Sequence, residues 1–137
     1  MIDPARDPRL IAPYRVPLAG LVFAFLLELA MFAALGVWGW HLGDGGFVGA
    51  LFAFLFVVVA GAVWGLCRTP GDLPHGRSRV PVPGLVRIAI EWAILALAVY
   101  GIWTAWSRAA GETLLTAGVI HYALSWERLR WLLSVRR

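Results

Sequence analysis

Four runs of roughly twenty apolar residues, parted by short polar segments, decide the solvent of this chain before anything else about it. They cover about residues 17–40, 47–67, 84–106 and 113–133. A helix of ~20 residues crosses a hydrocarbon core of ~30 Å. In lipid, a helix satisfies its own backbone, which an irregular segment cannot do. The 137 residues suit one domain, and they are 61% hydrophobic with only 15% charged. That is more apolar surface than a water-soluble core of this size can hide. The expected fold is therefore all-α: a four-transmembrane-helix bundle over 17–134, preceded by a cytoplasmic arm over 1–16 that holds three prolines.

The polar segments set the connections. HLGDGG (41–46) reads as a tight turn, because glycine and aspartate tolerate positive φ. RTPGDLPHGRSRVPVP (68–83) has four prolines and two glycines, so it is read as an irregular loop joining two halves of two spans each. SRAAGE (107–112) reads as a second short turn. The fourth block ends in Glu127, Arg128 and Arg130. These side chains either snorkel to the interface or turn the end into an amphipathic surface helix.

Arginine sets the orientation. All twelve basic residues are arginine. Arg6, Arg9 and Arg15 precede the first block; Arg68, Arg77, Arg79 and Arg87 lie around the middle loop; Arg128, Arg130, Arg136 and Arg137 close the chain. Only Arg108 falls on the other side, so the positive-inside rule puts both termini in the cytoplasm. Trp38, Trp40, Trp103 and Trp106 then fall at the outer interface, and Trp64, Trp126 and Trp131 at the inner one. The net charge of +4 forms no single stripe, which excludes nucleic acid as a partner and favours a lipid bilayer with anionic headgroups. A first apolar block too long for a cleaved signal reads as a retained helix, and the expected location is a bacterial cytoplasmic (inner) membrane. A weak parallel 2+2 repeat runs at a spacing of 63, pairing Glu28 with Glu91 and Trp40 with Trp103.

Few residues carry chemistry. Glu28 and Glu91 lie inside the first and third spans, where a charge costs roughly 2.5–3.5 kcal/mol and burial alone favours the neutral acid. Each is either a proton or cation site between helices, or polar glue for packing. Arg87 stands four residues before Glu91 and can pair with it on one helix face. His121 and Tyr122 fall inside the fourth span. An imidazole there could ligate a haem or chlorin, or hydrogen-bond Glu28, Glu91 or a backbone carbonyl. Gly61 and Gly65 form a small-xxx-small pair that lets another helix approach, within the bundle or from a partner. Cys67 is the single cysteine, and no metal motif, phosphate-binding loop or nucleophile–base pair is legible. An enzyme is not expected, and no cofactor beyond the haem or chlorin alternative.

The segments FLLELAMFAALGVWGWHLG (25–43), AVWGLC (62–67), VPVPG (80–84) and RIAIEWAILALAVYG (87–101) resemble the YrdB-like family of small bacterial membrane proteins. The resemblance covers about residues 18–132; it implies a four-helix membrane protein and supplies no activity. WERLRW (126–131) departs from that pattern. The function expected from these features is a structural or accessory subunit packed among other membrane protein subunits. The alternatives are a small proton-coupled transporter or channel using Glu28 and Glu91, or a haem- or chlorin-binding protein using His121. A four-helix count with a glutamate in the first span is similar to the small multidrug transporters, but the arginine bias argues against their dual-topology form.

Overall fold

A computed structural model describes residues 14–72 and 79–135. Most of the arm expected over 1–16, together with His75, Arg77, Arg136 and Arg137, lies outside the described residues. Five helices account for most of the rest: α1 (Leu18–Leu42), α2 (Gly46–Leu66), α3 (Gly84–Ala105), α4 (Arg108–Leu124) and α5 (Trp126–Ser134). Two-residue strands β1 (Cys67–Arg68) and β2 (Val80–Pro81) pair in parallel, with Cys67 opposite Val80. That pair brings the two ends of the middle loop together.

Local chemistry explains the boundaries. Pro17 and Pro83 hold extended backbone just before α1 and α3, where a missing N–H breaks no helical hydrogen bond. Between α1 and α2 the chain reverses through Asp44, Gly45 and Gly46, all at positive φ. Aspartate and glycine accept that conformation at little cost. α1, α2 and α3 are each long and apolar enough to cross a membrane, the mark of a membrane protein.

The fourth apolar block differs from its sequence reading in two ways. SRAAGE is not a turn over 107–112: Ser107 caps α4, its Oγ accepting from the Ala110 N–H, and the helix starts at Arg108. The alanines that follow are strong helix formers, and the Arg108–Glu112 pair, at 2.8 Å, spans the first turn. The block is also not one helix over 113–133. It breaks at Ser125, so α4 has 17 residues, or about 25 Å at ~1.5 Å per residue. α5 folds back against the start of α3, burying Trp131 and Leu132 with Tyr14. The Gly84 N–H donates to the Val135 carbonyl at 3.1 Å, and a β-carbon at Gly84 would collide with the Leu132 backbone.

α1 packs on α2, α3 and α4, whereas α2 meets α3 only slightly. The core is shared mainly by α1 (Leu27, Met31, Ala34, Leu35) and α3 (Ile94, Leu95, Ala98, Val99, Ile102), with Leu114 of α4. Glycines set the close crossings. A β-carbon at Gly39 would lie 2.6 Å from the Ala53 nitrogen, one at Gly49 2.6 Å from the Trp40 oxygen, and one at Gly118 2.6 Å from Leu95. Gly101 gives way to Trp38 in the same manner. Gly61 and Gly65 do not take this role within the chain, since a β-carbon at either would meet nothing within 4 Å among the described residues. They lie in the C-terminal half of α2, away from the crossing with α1 at Gly39 and Gly49.

Gly39→Leu is expected to push α2 off α1 and to lower stability by about 1–3 kcal/mol, the usual range for overpacking. Gly61→Leu should leave it unchanged. Thermal unfolding of both variants in one detergent checks the contrast.

Candidate functional site

Arg87 and Glu91 stand one turn apart near the start of α3, which places both side chains on the same face. Arg87 is 2% exposed and Glu91 8%. The Arg87 Nε donates to Glu91 Oε1 at 2.8 Å. Its terminal nitrogen donates to the carbonyls of Trp64 at 2.5 Å and Cys67 at 2.7 Å. Those carbonyls belong to the last turn of α2 and to Cys67, the residue that caps it, where helix geometry leaves acceptors unpaired and the dipole end is negative. One side chain therefore neutralises a buried carboxylate and caps a neighbouring helix. The guanidiniums of Arg87 and Arg68 also stack on the Trp64 ring, at 5.0 and 4.9 Å from its centroid.

A second guanidinium completes the cluster. Arg128, on α5, grips Asp72 with two nitrogens at 2.6 and 2.9 Å. It reaches Glu91 with two nitrogens at 2.7 and 3.1 Å. The Tyr122 hydroxyl donates to Glu91 Oε2 at 3.0 Å, and the Tyr14 hydroxyl donates to Asp72 Oδ1 at 2.6 Å. Tyr122 is itself stacked on Trp92, with centroids 4.8 Å apart. Burial of Arg128 opposes its charge, but hydrogen bonds and attraction from Glu91 and then Asp72 hold its proton more firmly than usual.

Two guanidiniums face two carboxylates, and the acidic oxygens are met by donors. This is the condition under which charges survive removal from water. Both carboxylate oxygens of Glu91 are thus held by hydrogen-bond donors. The cluster joins α2, the middle loop, α3, α4, α5 and Tyr14 of the segment before α1 at one end of the bundle.

Of the residues singled out by sequence, Glu91, Arg87 and Tyr122 meet in this cluster. Glu28 and His121 lie beside it, on the wall of a cavity of about 750 Å³ between α1, α3 and α4. Glu28 is half-buried and makes no hydrogen bond among the described residues. His121 is half-buried between Phe23 and Tyr122, at ring distances of 6.1 and 5.5 Å. It makes no hydrogen bond to Glu28 or Glu91 among the described residues, so the bond expected for it is not formed. Arg128, Asp72 and Tyr14 escaped sequence reasoning as members of the site. The charged run inside WERLRW was their one visible signal.

Arg128→Met would leave Asp72 and Glu91 short of their shared counter-charge. The expected loss of stability is roughly 3–5 kcal/mol, as for a broken buried pair. Arg108→Met, in the exposed pair with Glu112, should cost less than about 1 kcal/mol. Equilibrium unfolding in mixed micelles separates the two.

Two comparisons with known proteins bear on this arrangement. A family model described as "Protein of unknown function (DUF2568)" matches residues 22–120. That span takes in Glu28, Arg87 and Glu91 and stops short of Arg128. The chain is also similar to the uncharacterised protein YrdB of Bacillus subtilis (strain 168), 32% identical over 115 residues, which are 83% of this chain and 93% of that one. No solved structure matches. On the family match and this relative together, the chain belongs to the DUF2568, YrdB-like family, whose function is unknown.

Proposed function

We propose that the chain is a non-enzymatic, four-span membrane protein that serves as an accessory subunit, packing through α2 against a helix of a larger membrane complex. α4 is the fourth span in this reading, and both ends of the chain, with the arginine–carboxylate cluster, face the cytoplasm of a bacterial cell across its inner membrane. The observation that carries the proposal is the exposure of α2, which packs on α1 but is otherwise little covered. It is entirely uncharged, yet Gly49 is its one buried residue, at the crossing with α1. Its inner half presents Gly61 and Gly65 with open space around them. In a bilayer, helices associate chiefly where small residues allow backbones to approach, because lipid tails are as apolar as leucine.

The cluster favours this reading over proton transport by Glu91. A carboxylate that must gain and lose a proton during turnover is poorly served by two guanidiniums held within hydrogen-bond reach. The same groups suit a fixed clasp. Connections of two or three residues join α1 to α2 and α3 to α4, and the middle loop over 68–83 is too short for a separate catalytic domain.

Native membranes solubilised in a mild detergent should yield the chain in a band well above its own 15.0 kDa. Gly61→Leu with Gly65→Leu should release it from that band without unfolding it. Migration of the wild-type chain as a monomer or small homo-oligomer in every mild detergent would overturn the proposal.

A further inference from the structure

We infer that the cavity beside the cluster is a binding site for an amphiphile whose head carries a primary ammonium, with Glu28 as its anchor. This goes beyond the accessory role, since it concerns α1 and α4 rather than α2.

The cavity has the size of a ligand site. Its volume of about 750 Å³ far exceeds the ~30 Å³ share of one water and falls within the range of pockets that bury small molecules. Its walls divide into two parts. Leu27, Met31 and Leu95 give an apolar lining, while Glu28, Arg68, Asp72, Arg87, Glu91 and Arg128 give a charged one. It reaches the surface between α1 and α4, where Phe25 and Leu124 are well exposed. A shallower groove of about 490 Å³ shares Phe23 with it and runs along α4 past Ile120, Ala117, Thr116 and Thr113 to Glu112. A charged chamber beside a groove whose walls include Phe23, Ala117 and Ile120 has the outline of a headgroup with a chain.

Charge complementarity names the head. Arg87 is committed to Glu91 and the α2 carbonyls, and Arg128 to Asp72 and Glu91. Asp72 and Glu91 are met by those donors and by tyrosine hydroxyls. Glu28 and Glu127 are the carboxylates on this wall that no hydrogen bond within the described residues satisfies, and of the two Glu127 is exposed to solvent while Glu28 is half-buried. A carboxylate half-withdrawn from water is stabilised by a donor that brings positive charge. A primary ammonium supplies three N–H groups on a compact head and leaves its chain to the groove. Arg15, exposed at the mouth, would suit the phosphate of a lipid bearing such a head. The shared chemistry is therefore an ammonium on an alkyl chain, whether it comes from an aminophospholipid of the bilayer or from a soluble amphiphilic amine.

The test uses the full chain in maltoside micelles and follows tryptophan fluorescence, since Trp64 lines the cavity. Dodecylammonium should produce a saturable change and dodecanoate none. Glu28→Gln should weaken dodecylammonium binding roughly tenfold or more, on the scale of one charge-assisted hydrogen bond. Asp44→Asn, at an exposed position that lines neither the cavity nor the groove, should bind as the wild type does. Equal binding of the two surfactants, unchanged affinity in Glu28→Gln, or no saturable binding of the amine together with no retained aminophospholipid would each overturn the inference. Should Glu28→Gln fail to run as one species in size exclusion, Glu28→Asp keeps the charge, and the wild type's preference for ammonium over carboxylate decides the matter. Native mass spectrometry with phosphatidylethanolamine and phosphatidylglycerol in equal amounts identifies the source. Selective retention of the former, lost in Glu28→Gln, supports the lipid; amine binding without it supports a soluble amine.

Discussion

Arg128 ties together two carboxylates that lie 56 and 37 residues before it in the chain. Asp72 comes from the middle loop and Glu91 from α3, and a helix that would otherwise drift off, α5, brings the guanidinium to both. In a low-dielectric setting such a contact is nearly all or nothing, because each charge left alone costs far more than the completed pair contributes. Arg87 extends the same logic to α2 by capping its last carbonyls. Loop, α5 and the C-terminal end of α2 are therefore fixed at one end of the bundle by electrostatics, while the rest is held by apolar packing between α1 and α3.

That division of labour shapes what the molecule can do. α3 is the most enclosed helix and carries the buried ion pair. α2 is the least enclosed and carries no charge, so it is available to a neighbour in the bilayer. α1 and α4 meet less fully, and the gap between them is the cavity on which Glu28 opens. Trp38 packs into the space left at Gly101, and those positions are separated by the same 63 residues as Glu28 and Glu91. The spacing noticed in the sequence thus coincides with an actual contact between α1 and α3.

The first three helices were legible because apolar length in lipid is nearly a direct measurement. The expected spans 17–40, 47–67 and 84–106 differ from α1, α2 and α3 by at most two residues at either end. The fourth block was not, because its local signals compete. SRAAGE looks polar and turn-like, yet Ser107 is a cap and the alanines are helical; Ser125 looks unremarkable, yet the helix breaks there so that Trp131 and Leu132 can be buried. In the site, Arg87 with Glu91 was legible from a spacing of four. Asp72 and Tyr14 were not, since nothing local joins a proline-rich loop to a residue 58 positions away. Arg128 was read as reaching to the interface or as part of an amphipathic end helix; it lies on such a separate helix, α5, with its guanidinium turned to Asp72 and Glu91. Gly61 and Gly65 carry the familiar spacing, whereas the glycines that set close approach, among them Gly39, Gly49, Gly101 and Gly118, carry no motif.

Everything at the clasped end presupposes that α4, the shortest of the four long helices, crosses the bilayer. Two variants in a Cys67→Ser background test this directly: Glu112→Cys at the start of α4 and Arg130→Cys in α5, both at exposed positions. In intact cells a membrane-impermeant maleimide should label the Glu112→Cys variant and spare the Arg130→Cys variant until the membrane is permeabilised. Labelling of both, or of neither, in intact cells would place the two positions on one side and contradict a four-span bundle.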